Sequence, residues 1–152
     1  MLEHLPKNHT TRGFYETLFK EMTGALLASQ QPDGLRHPSL LDPNEVNIGE
    51  TSGSGFFTFG LAWGATHGLL DRATHWPAIT RAWDGLMTRV KPDGYVGFVQ
   101  PVGAAPAALA ADSKQDYGAG AFLLAGSEIL RSLDAGSKVA PPALLKAAEA
   151  IC

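Results

Sequence analysis

Apolar residues follow two alternating rhythms along this chain, and together they predict four helices. From about Phe14 to Gln30, Phe14, Leu18, Met22 and Leu26 recur every four residues, while Glu16, Lys20 and Glu21 lie off that stripe. This is the pattern of an amphipathic, half-exposed helix. Pro32-Asp33-Gly34 ends it, since proline cannot continue the ladder and glycine is free to take positive φ. The second segment, from about Glu50 to Leu70, has no charged residue between Thr51 and Gly68. Phe56, Phe57, Phe59, Leu61 and Trp63 point to every side, which predicts a helix buried all round, with His67 as a core histidine. The third, from about 76 to 91, is amphipathic again. Ile79, Trp83, Leu86 and Val90 form its stripe, Pro77 suits its first turn, and Pro92-Asp93-Gly94 ends it. The fourth, from about 115 to 133, returns to the buried type, with Tyr117, Phe122, Leu123, Leu124 and Ile129 among Gly118, Gly120 and Gly126. A short tail helix is expected after Pro142, and residues 134–152 form the least defined part of a single domain covering 1–152.

The order exposed, buried, exposed, buried is also a repeat. Pro32-Asp33-Gly34 returns 60 residues later as Pro92-Asp93-Gly94, and Gly53-Ser54-Gly55-Phe56 is echoed by Gly118-Ala119-Gly120-Ala121-Phe122. Self-similarity of this kind marks stacked helical units. Each unit is an outer amphipathic helix, a Pro-Asp-Gly turn, a long loop and a buried inner helix. Set in a ring, such hairpins make two concentric layers, an α/α toroid. A solenoid accounts for the repeat equally well, but its helices should be more alike in burial. The fold class is therefore all-α, a partial α/α toroid of about two hairpins. The loops 35–49 and 95–113 exceed the ~12–15 residues usual in compact domains, which points to function or mobility. Tyr95 to Val99 is expected to pair as a short strand.

Composition narrows the function. The chain has 152 residues, 45% of them apolar, enough for one packed domain. A net charge of −3 with scattered Lys and Arg argues against a nucleic-acid partner. Cys152 is the only cysteine, so no intrachain disulfide forms, and a reducing, cytoplasmic setting is expected. The N-terminal residues carry no signal-peptide pattern, and the longest apolar stretch is short of the ~20 residues that span a bilayer. No metal is expected, because His4, His9, His37, His67 and His75 do not fall at metal-ligand spacing.

The candidate site residues lie where the inner helices begin. Glu50, Thr51 and Ser52 open one, and Gln115, Asp116 and Tyr117 open the other, preceded by Ser113 and Lys114. On one reading they cap free N–H groups and complement the helix dipole. On the other, both N-termini face one mouth of the ring and help bind an anionic sugar. Arg36 and His37 either add positive charge to that mouth or belong to a solvated loop.

Four stretches together resemble the unsaturated glucuronyl and rhamnogalacturonyl hydrolases, glycoside hydrolase families 88 and 105. They are Pro6-Lys7-Asn8-His9, Gln30 to Leu35, Glu50 to Ser54, and Gln115 to Gly126, and the resemblance runs from Leu2 to Leu133. It implies a six-hairpin toroid acting on oligosaccharides that end in a 4,5-unsaturated uronic acid, without metal or organic cofactor. It also implies that this chain matches the C-terminal part of such an enzyme. The aspartate that acts as the family's acid, and the segment that grips the sugar, lie in the N-terminal half and have no counterpart here. No catalytic residue is therefore assigned. Arg36, His37, Glu50, Thr51, Ser52, Gln115, Asp116 and Tyr117 are expected at the substrate-binding rim, and the chain alone is expected to be inactive. A free-standing helical module that binds carbohydrate or protein is the alternative. Two hairpins cannot close a ring, so Phe57, Phe59, Trp63, Phe122 and Leu123 are expected on an open flank, covered in a two-fold homodimer.

Overall fold

A computed structural model describes residues 1–134. The tail helix expected after Pro142, and residues 135–152 of the tail, lie outside the described residues. Those residues form four helices and no strand: α1 (Arg12–Ala28), α2 (Thr51–Thr66), α3 (Arg72–Met87) and α4 (Asp116–Asp134).

α2 is the centre of the assembly. Gly55 abuts Ala121, and Leu61, Ala62 and Ala65 share a core with Ile129, so α2 and α4 run parallel. α3 runs antiparallel to both. Its Trp76 and Ile79 join that same core, while Leu86 packs nearer the other end with Leu35 and Ala125. Trp83 stacks on Phe122 with ring centroids 5.0 Å apart and covers Gly126. α1 lies across α2 through Phe19, which meets Trp63 edge-on at 5.9 Å. Two inner helices side by side with two outer helices against them is the expected partial toroid.

The repeat is geometric as well as sequential. In the first turn Gln31 N–H donates to Leu35 O at 2.9 Å, Gly34 N–H to Gln31 O at 2.9 Å, and Leu35 N–H to Asp33 Oδ1 at 3.0 Å. In the second, the same three bonds run from Lys91 to Tyr95 O at 2.8 Å, Gly94 to Lys91 O at 2.8 Å, and Tyr95 to Asp93 Oδ1 at 3.2 Å. Gly34 (φ 85°) and Gly94 (φ 81°) both occupy the left-handed region, where a side chain is disfavoured.

α2 is not buried all round. Its small residues Ser54, Gly55, Thr58, Ala62 and Ala65 are buried with Leu61, whereas Phe56 is 44% exposed and Phe57, Phe59 and Trp63 are only half-buried. Small side chains let backbones approach closely, and the large ones are left to the outer flank. The apolar stripe of α1 also faces outward, with Phe14 64% and Met22 55% exposed and only Thr23 buried. His67 is no core residue. It caps the C-terminus of α2, stacks on Trp63 at 4.5 Å, and bonds through Nδ1 to Trp63 O.

α3 begins at Arg72, not at Pro77. Asp71 is its N-cap, accepting from Thr74 N–H at 2.7 Å, so Pro77 falls inside the helix. The strand expected at Tyr95–Val99 is reduced to one isolated bridge, Val90 with Val96.

Candidate functional site

The site is built on the start of α2. Glu50 is extended (φ −94°, ψ 134°) and bridges to Arg36, whose carbonyl accepts the Glu50 N–H at 2.9 Å. From there its carboxylate folds back over the helix end. Oε1 accepts from Ser52 N–H (2.9 Å), Ser52 Oγ–H (2.7 Å) and Gln100 N–H (3.0 Å), and Oε2 from Gly53 N–H (2.6 Å). The residue is only 5% exposed. Four donors satisfy a buried carboxylate that would otherwise be costly to desolvate.

Thr51 ties the same helix end to the 95–113 loop. Its N–H donates to Phe98 O at 3.0 Å and its hydroxyl to Gly97 O at 2.7 Å. The first three N–H groups of α2 are thus bonded within the chain, by Phe98 and Glu50, and none is free for an anion. The loop follows a narrow path. A Cβ on Gly97 would lie 2.1 Å from Ala111 O, and one on Gly118 would lie 2.3 Å from a Val99 methyl. Val99 N–H donates to Ser113 O at 3.0 Å. With its amide oriented to satisfy both groups, the Gln100 side chain donates to Ala107 O (3.2 Å) and accepts from Ala107 N–H (2.9 Å). Tyr117, in the first turn of α4, donates its hydroxyl to Gln100 O.

Together these residues enclose a cleft of about 480 Å³ lined by Pro38, Glu50, Ser52, Phe56, Gln100 and Tyr117, with residues 101–106 along one edge. No Lys, Arg or His lines it. Ser52 and Tyr117 each offer a hydroxyl oxygen with spare acceptor capacity. Phe56 adds an exposed ring face.

The other expected rim residues are placed differently. Arg36 is 1% exposed, and its guanidinium turns toward α1, where Nε and Nη2 donate to Leu26 O at 3.1 and 3.0 Å. Burial, and then the nearby charge of Arg81, lower its pKa to about 10. Its backbone N–H donates to Ser54 Oγ at 2.9 Å, so the residue fastens α1, the loop and α2 together. His37 Nδ1 donates to Pro43 O at 2.7 Å, which shapes the loop behind Pro38. Gln115 and Asp116 are exposed at the start of α4 and stand outside the cleft lining. Ser113 Oγ is taken by Ala110 N–H at 3.0 Å rather than capping α4.

Gln100 and Phe56 were not among the residues expected at the rim. The length of the 95–113 loop is the one sequence signal near Gln100, while the hydropathy of Phe56 points to the core. Among the described residues, no group of three His, Cys, Asp or Glu side chains is arranged to hold a metal, and no helix is long and apolar enough to cross a membrane.

Residues 1–133 match the family model of Glycosyl Hydrolase Family 88. The chain belongs to glycosyl hydrolase family 88. An unsaturated 3S-rhamnoglycuronyl hydrolase of Formosa agariphila is 50% identical over 131 residues, which cover 86% of this chain and 35% of that protein. One of the same name from an Alteromonas species is 40% identical over 130 residues, covering 86% and 32%. The solved structure of a family 88 glycosyl hydrolase from Bacteroides vulgatus superposes with a TM-score of 0.81 at 38% identity, over 86% of this chain and 39% of that one. This family 88 chain therefore spans about a third of the length of the curated relatives it matches.

Proposed function

We propose that this chain forms one side of the sugar site of a glycoside hydrolase acting on oligosaccharides that end in a 4,5-unsaturated uronic acid, and that alone it does not turn them over. The observation that carries this is the 50% identity, over 86% of the chain, with an unsaturated 3S-rhamnoglycuronyl hydrolase. The chemistry of such a substrate sets the requirement. A carboxylic acid protonates the vinyl-ether double bond, water adds at the cation so formed, and the resulting hemiketal opens to release the next sugar. Glu50 is poorly suited to supply that proton, because both its oxygens already accept hydrogen bonds that hold the helix end and the loop in place. Asp116 stands outside the cleft.

The residues are instead suited to holding. Ser52 Oγ and Tyr117 Oη accept from sugar hydroxyls, and the Phe56 ring packs against the apolar face of a pyranose. Glu50 and Thr51 fix the positions of Ser52 and Gln100. Arg36 and His37 support the rim from behind, and Gln115 and Asp116 flank the mouth from α4. A cytoplasmic setting fits a chain whose sole cysteine is Cys152.

Amide NMR during titration with an unsaturated uronide disaccharide tests the reading. Shifts at Ser52, Gly53, Gln100 and Tyr117, weakened several-fold by Tyr117→Phe, are expected. No shift at millimolar sugar, or shifts confined to another face, would overturn it.

A further inference from the structure

Gln100 is held through its backbone and its side chain alike. Its N–H donates to Glu50 Oε1 at 3.0 Å, and its carbonyl accepts the Tyr117 hydroxyl, so it is tied to the starts of both α2 and α4. Its side-chain amide pairs with the N–H and the carbonyl of Ala107 at 2.9 and 3.2 Å. That pairing clasps the chain across residues 101–106 and makes them a closed loop with a narrow neck. Further anchors follow the neck. Ser113 Oγ accepts the Ala110 N–H and Ser113 O the Val99 N–H, both at 3.0 Å, and Asp112 O accepts the Tyr95 hydroxyl at 3.0 Å.

The tip has no such ties. Among the described residues, no backbone N–H or carbonyl of 101–106 takes part in a hydrogen bond. No charged side chain occurs from Pro101 to Ala111, so no ion pair holds the tip down. Residues 101–105 are exposed, and Val102 is 90% so. A Cβ on Gly103 would come no nearer than 3.5 Å to any neighbour, the Ala105 carbonyl oxygen. Moving the tip therefore breaks no bond within the chain, and Gly103 supplies a place to bend. Pro101 and Pro106 fix φ at its two ends, so the tip swings on its neck and does not unravel.

We propose that residues 101–106 are a lid, hinged at the Gln100–Ala107 clasp, that closes over a sugar lying in the cleft. The tip shares the cleft lining with Ser52, Phe56 and Tyr117, so it has a surface to close toward. Closure takes the Val102 methyls out of water and shields the hydrogen bonds that Ser52 and Tyr117 make to the sugar. Gln100 is the positioning residue of this device, because its side chain alone sets where the moving tip ends. The lid rests on the sugar-binding reading above.

Amide NMR of the full chain with an unsaturated uronide disaccharide tests the lid and separates it from that reading. Before sugar is added, relaxation of the Val102 to Ala105 amides should report fast motion between rigid amides at Gln100 and Ala107. Sugar should quench that motion and bring nuclear Overhauser contacts between the Val102 methyls and the pyranose. Val102→Ser should speed sugar dissociation several-fold with association unchanged, and Gln100→Ala should spread the motion to residues 107–110. A tip already rigid without sugar, a tip still mobile with sugar bound, equal dissociation rates, or motion unchanged by Gln100→Ala would overturn the lid. If Ser52, Gly53 and Tyr117 shift in those cases, the sugar reading stands without it. No shift at any of the three would overturn both.

Discussion

Glu50 accepts the backbone N–H of Gln100 at 3.0 Å with the same oxygen that caps α2, so one carboxylate joins the helix start to the loop walling the cleft. Glu50→Gln places an amide donor against a cluster of donors, and Glu50→Ala leaves them bare. Losing an N-cap and its buried hydrogen bonds should cost about 2–3 kcal/mol in urea unfolding. The 98–107 loop should lose amide protection in the same variants.

The two Pro-Asp-Gly turns share a conformation but not an environment. A Cβ on Gly34 would lie 2.0 Å from Arg81 O, while one on Gly94 would meet nothing. Gly94→Ala should cost about 1–2 kcal/mol, the ordinary penalty of the left-handed region. Gly34→Ala should cost distinctly more, since the backbone against α3 must also move. Equal losses in parallel denaturation curves would show that the turn is not held against α3.

Helical glycines separate in the same way. A Cβ on Gly55 comes within 2.9 Å of Ala121 backbone and side chain, whereas Gly24 in α1 has open space. Gly55→Val should destabilise by about 1–3 kcal/mol through overpacking. Gly24→Ala should stabilise by roughly 0.5–1 kcal/mol through helix propensity. Thermal melts of the two variants check both signs.

Asp71 gives a pH signature. Hydrogen bonds from Thr74, first its side chain and then its N–H, hold the carboxyl below its ordinary value of 3.8. A carboxyl depressed in the folded state stabilises above its unfolded pKa, and that contribution is lost as pH falls through the folded value. Below about pH 4 the wild type should therefore lose more stability than Asp71→Ala, which has already lost the cap. Paired acid titrations followed by circular dichroism check the difference.

Much of this architecture was legible in the sequence. The 60-residue return of Pro-Asp-Gly, and the absence of charge between Thr51 and Gly68, gave the helix order and the inner position of α2. Which flank of α2 is buried was not legible. Hydropathy weights Phe56, Phe59 and Trp63 most heavily, but close packing against α4 selects Gly55, Thr58 and Ala62. Pro77 misled for a related reason, since proline tolerance marks a first turn only when no better cap precedes it, and Asp71 is that cap. At the site, Glu50, Ser52 and Tyr117 come together as the helix starts suggested. Arg36 turns away, because Leu26 O near the carbonyl end of α1 accepts from both Nε and Nη2 of its guanidinium, a partner that a sequence pattern does not display.

On the proposed function, this chain forms part of a sugar site in which the Glu50 carboxylate holds the start of α2 and the loop, and neither it nor Asp116 donates the proton. Ultraviolet absorbance of an unsaturated uronide disaccharide, whose conjugated double bond is lost on hydration, measures that most directly. Incubation with the purified chain should leave the absorbance unchanged. Bleaching that disappears in Glu50→Gln or Asp116→Asn would contradict the account and assign the acid to that residue.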